Sequence, residues 1–341
     1  MIRGSFAIAL LLLAGLPQSR ATRTLDIYFI DVEGGASTLV VTPQGQSVLM
    51  DAGYAGFDDR DPIRVERVAK QEAGLTKLDY VLTSHFHVDH VGGLAGLAKR
   101  IEIGEFLDHG PTVETDTTAG PVLWQQYLAL TGTRRRVVAP GAQLALGAGI
   151  TLTIVTANGD VLSKPLNGGT ANPSCSTFTA QPEDKGENAR SLGYLLSAAR
   201  FQFANLGDIS WNVQHRLACP INLVGQVDLF QVTHHGVRDD VLPQQMWPMA
   251  PLVAVMNNGP AKGAGVAGVE HVKQSPGLVD LWSLHRLIAN DAAHNAAEPL
   301  TANLGNTEGC EGHWIRARVQ PDGSFTVTNS RNGVTRTYQA R

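Results

Sequence analysis

The chain has 341 residues, 43% of them hydrophobic and 17% charged, the make-up of a globular protein with one large domain or two small ones. Its formal net charge is −4 at pH 7, and its one basic run, Arg134-Arg135-Arg136, reads as a solvated face. That balance argues against a surface for gripping duplex nucleic acid, which needs clustered positive charge.

The first 21 residues stand apart from the rest. Arg3 gives a short positive start, Phe6 to Leu16 form an apolar run, and Ser19-Arg20-Ala21 offers a small-x-small cleavage site. This is the layout of a secretory signal peptide, with a run too short to span a bilayer comfortably; an uncleaved anchor is the alternative. Cleavage removes Arg3 and Arg20 and no acid, leaving 25 basic residues against 31 acidic. Residues 22–341 are expected as a single domain in the periplasm or outside the cell, with no transmembrane segment.

Strands are expected at Leu25–Val32, Ser37–Thr42 and Ser47–Asp51, separated by glycine-containing turns. Asp61–Ala73 spaces Ile63, Val65, Val68 and Ala69 among charges at helical intervals. Leu78–Ser84 is a buried-type strand, Val91–Ala98 a short helix, and Ile101–Leu107 a strand running into Asp108-His109-Gly110-Pro111. From about Asn158 to Asn188 the chain is rich in Gly, Pro, Asn, Ser and Thr, a long irregular excursion of the kind that covers sites. Strands resume at Ser191–Ala198 and Phe201–Leu206, a helix at Ser210–Leu217, and strands at Asp228–Thr233 and Leu252–Met256. Trp314–Thr328 alternates around Asp322-Gly323 as a hairpin, within a tail from about 312 to 341. Of three cysteines, Cys175 and Cys219 lie in loop-like, proline-containing stretches and are the expected disulfide, leaving Cys310 as a free thiol.

One regularity carries the chemistry. A strand ends in Asp51, a helix follows, and the next strand ends in Ser84-His85; later a strand ends in Asp208, a helix follows, and the next ends in His234-His235. Between Thr83 and Gly93 the chain reads TSHFHVDHVGG. In an extended segment residues i and i+2 point to one side, so His85 and His87 are placed to share one ion. Asp89 and His90, where the chain turns into a helix, reach towards a second. Imidazole with carboxylate suits zinc, with iron or manganese as alternatives. No Gly-x-Ser-x-Gly nucleophile motif competes.

The stretch HFHVDH resembles the His-x-His-x-Asp-His signature of the metallo-β-lactamase superfamily, and the order of Asp51, Asp208 and His234-His235-Gly236 follows it. The resemblance implies an α/β fold, an αββα sandwich of two ββα halves with two divalent metals at one edge. It implies His85 and His87 on the first metal, Asp89, His90 and His234 on the second, and Asp208 bridging. Asp51 would steady the histidine loop, with His235 as a supporting neighbour of His234. A third imidazole that many members place before the bridging Asp is missing, since Glu187-Asn188-Ala189-Arg190-Ser191 holds no histidine. Water, Asn188 or His109 would fill that position, with solvent favoured and His109 lining the pocket; Asn257 and Asn258 would touch substrate or simply form a turn. This departure resembles the branch containing the hydrolase domain of DNA-uptake competence proteins. The activity implied is metal-dependent hydrolysis by a shared hydroxide, with Asp89 and Asp208 as the catalytic carboxylates. The expected substrate is a small or soluble ester, phosphoester or phosphodiester first and lactone, thioester or β-lactam next. An iron-dependent oxygenase and a non-catalytic metal-binding protein are the readings from other classes.

Overall fold

The computed structural model describes residues 24–167, 169–237, 241–305 and 310–341; the expected signal peptide lies outside them. In chain order the first strands are β1 (Leu25–Phe29), β2 (Thr38–Val41), β3 (Ser47–Met50), β4 (Lys77–Leu82), β5 (Glu102–Asp108), β6 (Arg135–Val137), β7 (Gln143–Ala145), β8 (Ile150–Ala157), β9 (Asp160–Val161) and β10 (Thr170–Ala171). They are followed by β11 (Gly193–Ala198), β12 (Phe201–Asn205), β13 (Ile221–Asn222), β14 (Leu229–Gln231), β15 (Val253–Met256), β16 (Asp280–His285) and β17 (Thr301–Asn303). The last are β18 (Ile315–Val319), β19 (Ser324–Asn329) and β20 (Thr335–Gln339). One sheet runs β20-β19-β18-β1-β2-β3-β4-β5-β6, and a second runs β17-β16-β15-β14-β12-β11-β8-β7.

The period-two side-chain alternation explains why both sheets are covered on both faces. In and just after β1, Leu25, Ile27 and Phe29 enter the core between the sheets, whereas Tyr28, Ile30 and Val32 enter a separate core on the outer face. In β12 and the residue after it, Phe201 and Phe203 face the central core while Ala204 and Leu206 face the other outer layer. Those outer layers are helical. α1 (Arg60–Arg67), α2 (Val88–Val91), α3 (Leu94–Leu97) and α4 (Gly120–Thr131) cover the first sheet; α5 (Trp211–Ala218), α6 (Pro243–Met249) and α7 (Val266–Lys273) cover the second. The result is the expected α/β sandwich of the metallo-β-lactamase type. Phe203 is fully buried and meets Phe29 edge-on across the sheets at 5.7 Å; its loss to Ala costs about 3–5 kcal/mol.

The two halves repeat one another. β3 pairs in parallel with β4 through α1, and β12 pairs in parallel with β14 through α5. Asp51, Ser84, Asp208 and the His234-His235 turn follow the C-terminal ends of these strands, where parallel α/β sheets gather their ligand-binding loops. The hairpin at Asp322-Gly323 is formed, and β18 pairs with β1 from Leu25↔Val319 to Phe29↔Ile315, extending the first sheet. The expected helix over 61–73 appears as α1 continued by a wider turn through Glu72, and that over 91–98 as the short pair α2 and α3. Cys175 and Cys219 form the disulfide, and Cys310 is free. Among the described residues no helix is long and apolar enough to cross a membrane.

Candidate metal centre

The histidine loop is clamped before it turns. Asp51, held at φ 64°, accepts hydrogen bonds from the Ser84 backbone N–H at 2.8 Å and the Ser84 hydroxyl at 2.7 Å. Its Oδ2 also lies 2.8 Å from His90 Nδ1. Phe86 N–H donates to Glu187 Oε2 at 3.0 Å, fixing the loop midway. After His87 the chain enters α2, and glycine is required where it passes its neighbours. A Cβ on Gly35 would stand 2.4 Å from the Asp89 carbonyl, and one on Gly93 2.1 Å from that of Ala52.

This frame presents two ligand sets. His85 Nε2 and His87 Nδ1 face each other at 3.0 Å, the separation of two nitrogens converging on one ion with bonds of about 2 Å. His85 is fully buried, and burial together with the neighbouring His90 holds its ring well below the usual imidazole range, in the neutral form a metal requires. The second set is Asp89, His90, Asp208 and His235, whose ligand atoms all lie within 4.8 Å of one another. His90 Nε2 is 3.1 Å from Asp208 Oδ2 and 3.3 Å from Asp89 Oδ2; His235 Nε2 is 3.2 Å and 3.3 Å from the same atoms.

The residues fit divalent metal. His235 Nε2 is buried with no hydrogen-bond partner although it points between two carboxylates. Burial pushes Asp208 and Asp89 upward, but the surrounding imidazoles outweigh it and hold both carboxyls well below their usual range. Two ionised carboxylates in a closed site demand cations, and a divalent ion answers that demand better than protons spread over histidines.

Not every expected residue takes its expected place. The structure groups His235, rather than the expected ligand His234, with Asp89, His90 and Asp208. His235 is fully buried within the four-residue group, while His234 is partly exposed with Nε2 3.6 Å from Asp208. Both sit in a left-handed turn, at φ 48° and 53°, which swings the second ring inward. The Asn257 carbonyl lies 3.2 Å from His235 Nδ1 and steers that ring. His109 is engaged by Glu187, with its Nε2 3.2 Å from that carboxylate and both side chains buried. Asn258 is committed to the frame, donating to the His285 carbonyl at 2.8 Å and accepting from Ser283 at 2.6 Å. Asn188 keeps a buried Oδ1 without a partner.

Other residues of the site were not foreseen. The Lys262 ammonium contacts Asp89 Oδ2 and lies 3.2 Å from the Tyr54 hydroxyl, with its side chain 37% exposed. Glu114 Oε1 is 3.0 Å from His87 Nε2. Ser191, in the segment lacking the third histidine, places its hydroxyl 3.3 Å from His85 Nδ1. Lys262 follows the strand end at Asn257-Asn258 on the site's own edge, a positional signal; Glu114 and Ser191 carry none.

Fold and site together give a mixed α/β sandwich, consistent with the metallo-β-lactamase fold, that carries a candidate dinuclear metal centre. The model of the metallo-β-lactamase superfamily matches residues 30–149, the segment holding the whole histidine loop. Over 67 residues the chain is 39% identical to a UPF0173 metal-dependent hydrolase of Anaeromyxobacter sp. (strain K), and it spans about a fifth of that protein, 22% of its length. Among solved structures it is similar to an S60 mutant of the HARLDQ-motif metallo-β-lactamase of Cronobacter sakazakii, at 17% identity and a TM-score of 0.40 over 62% of this chain and 78% of that one. It is also similar to a protein of Parabacteroides distasonis ATCC 8503 provisionally named a metal-dependent hydrolase, at 13% identity and a TM-score of 0.39 over 76% and 98%.

Proposed function

We propose that the protein is an exported metal-dependent hydrolase of phosphoesters or phosphodiesters. The observation that carries the reading is the pairing of two convergent ligand sets at one sheet edge, with His235 Nε2 orphaned between Asp89 and Asp208. His85 and His87 would hold one ion and Asp89, His90 and His235 the other, with Asp208 between them. Zinc is the favoured metal, since neutral imidazole and carboxylate both suit it. When bound, such ions supply Lewis acidity and a nucleophilic water at neutral pH.

The chain's own groups then divide the remaining work. Asp51 and Glu114 orient His90 and His87 through their other ring nitrogens, as carboxylates do behind metal-binding histidines. Lys262, half-exposed beside Asp89, offers an ammonium to a negatively charged substrate oxygen, with the Tyr54 hydroxyl next to it. A fixed cation at the rim supports an anionic ester over a neutral lactone or thioester. Ser191 in place of a third imidazole leaves the first ion more open, in keeping with the competence-protein-like branch. Export is supported by the signal-like N-terminal segment and by the Cys175–Cys219 disulfide, a bond of oxidising compartments.

The test is elemental analysis of the mature protein purified without chelator, followed by an assay panel of phosphodiester, phosphomonoester, lactone and β-lactam substrates. About two zinc ions in the histidine-aspartate centre with phosphodiester or phosphomonoester turnover supports the proposal. Iron in the centre with oxygen consumption would replace it with an oxygenase, and lactone or β-lactam turnover alone would overturn the substrate class.

A further inference from the structure

Away from the centre already described, Asp31 and Glu33 after β1, His285 at the end of β16, and Cys310 bring their ligand atoms within 4.8 Å of one another. We infer that these four side chains form a separate binding site for one divalent transition metal, zinc by its chemistry, that clips the loop after β1 to the second sheet. The proposal stands independently of the hydrolase reading.

The separations fit an ion. Asp31 Oδ1 is 2.7 Å from His285 Nε2, Glu33 Oε2 is 3.5 Å from the same nitrogen, and Cys310 Sγ is 3.0 Å from Glu33 Oε1 and 3.4 Å from Asp31 Oδ2. Zinc bonds of about 2.0–2.3 Å in tetrahedral array set neighbouring ligand atoms roughly 3.3–3.7 Å apart, so small side-chain rotations close the shell. Thiolate, imidazole and carboxylate together are a zinc donor set.

A second observation points to a missing ligand. Glu33 has a side chain only 6% exposed, and its Oε2, aimed at His285, has no hydrogen-bond partner. A buried carboxylate oxygen left bare is costly. The charges leave room as well. Arg64 pairs with Asp31 Oδ2 at 2.7 Å and Glu33 Oε1 at 3.1 Å, so two carboxylates share one guanidinium. A divalent ion would bind as the Cys310 thiol gives up its proton to solvent. Arg64, whose NH2 lies 3.3 Å from Cys310 Sγ, is placed to hydrogen-bond the thiolate from behind.

The site would brace the catalytic edge. The loop that leaves Asp31 and Glu33 continues through Gly35 to Ala36, whose N–H donates to the Asp89 carbonyl at 3.1 Å. Asn258, next to the Asn257 carbonyl that meets His235, donates to the His285 carbonyl at 2.8 Å. An ion here would fix both loops at their roots.

Cys310 is the one free thiol of the chain, and the histidine-aspartate centre contains no sulfur, so the two sites are separable by spectroscopy. The experiment is to load the full mature chain with cobalt and record its near-ultraviolet spectrum. A thiolate-to-cobalt charge-transfer band is expected, retained in Asp208→Asn and lost in Cys310→Ser. In parallel, zinc should slow alkylation of Cys310 in the wild-type protein by roughly tenfold or more relative to chelated protein, a readout that needs no variant. Cobalt uptake without a sulfur band, or alkylation indifferent to zinc, overturns the site and leaves a proton-closed ion network. Neither result bears on the hydrolase assays.

Discussion

Asp51 holds His90 from behind: its Oδ2 lies 2.8 Å from Nδ1, leaving Nε2 to face Asp208 at 3.1 Å. The same carboxylate also binds the Ser84 backbone and hydroxyl, so one side chain sets both the ring and the loop that carries it. Asp51→Asn, which tolerates the left-handed backbone, should therefore weaken zinc binding about 10–100-fold without unfolding the protein. Competition with a chromogenic chelator measures it; unchanged affinity would remove Asp51 from the support of the site.

The two adjacent histidines should behave unequally. His235→Ala is expected to lose one metal equivalent from the histidine-aspartate centre and nearly all turnover, as should Asp208→Ala. His234→Ala should keep the metal and retain activity within about tenfold. Metal content by mass spectrometry, read alongside a far-ultraviolet circular dichroism spectrum, decides the order. A loss of metal in His234→Ala with none in His235→Ala would reverse it.

Glu187 links the histidine loop to the segment around Thr112. It accepts from Phe86 N–H at 3.0 Å, Val113 N–H and the Thr112 hydroxyl at 2.7 Å each, and lies 3.2 Å from His109. Burial raises its pKa, but these donors bring the carboxyl down to about 2. A depressed folded-state pKa contributes stability that is complete above the ordinary value near 4.5 and is lost as pH falls from there through 2. The contribution is on the order of 3 kcal/mol, and Glu187→Gln should flatten the acid limb of the stability curve below pH 4.5. Urea melts from pH 7 down to pH 3 would show it; parallel curves for the two proteins would refute it.

Reducing the Cys175–Cys219 bond opens a loop spanned by 44 residues of sequence separation, for an expected loss of up to about 4 kcal/mol. The affected region is the irregular segment beside α5 and α6. Cys175→Ser paired with Cys219→Ser should thus lower the melting temperature while sparing metal content, and equal melting temperatures would show that the bridge adds nothing.

The legibility of this site tracks sequence distance. His85, His87, Asp89 and His90 were readable because one loop supplies them all. Asp208 was readable because the second half repeats the strand-acid-helix order of the first. Choosing between His234 and His235 needed two consecutive left-handed residues, a property of the backbone that no residue type announces. Lys262 meets Asp89 across 173 positions, and Cys310 meets Asp31 across 279, so only the folded chain brings them together. The segment between Pro111 and Ala157 carries little legible pattern, although β8 is an unbroken strand there. Buried on both faces, ITLTIVTA offers little contrast between its two sides.

The pairing of Leu25 with Val319 also dictates an order of events. Until β18 is available, β1 shows an open row of amides and carbonyls to whatever lies nearby, including another copy of itself. A nascent chain would therefore carry a sticky margin through most of its production, and shortening it before residue 315 would leave that margin permanently bare. Truncated forms should precipitate rather than merely work poorly, and any fusion partner or tag is best kept clear of the strand that closes the sheet.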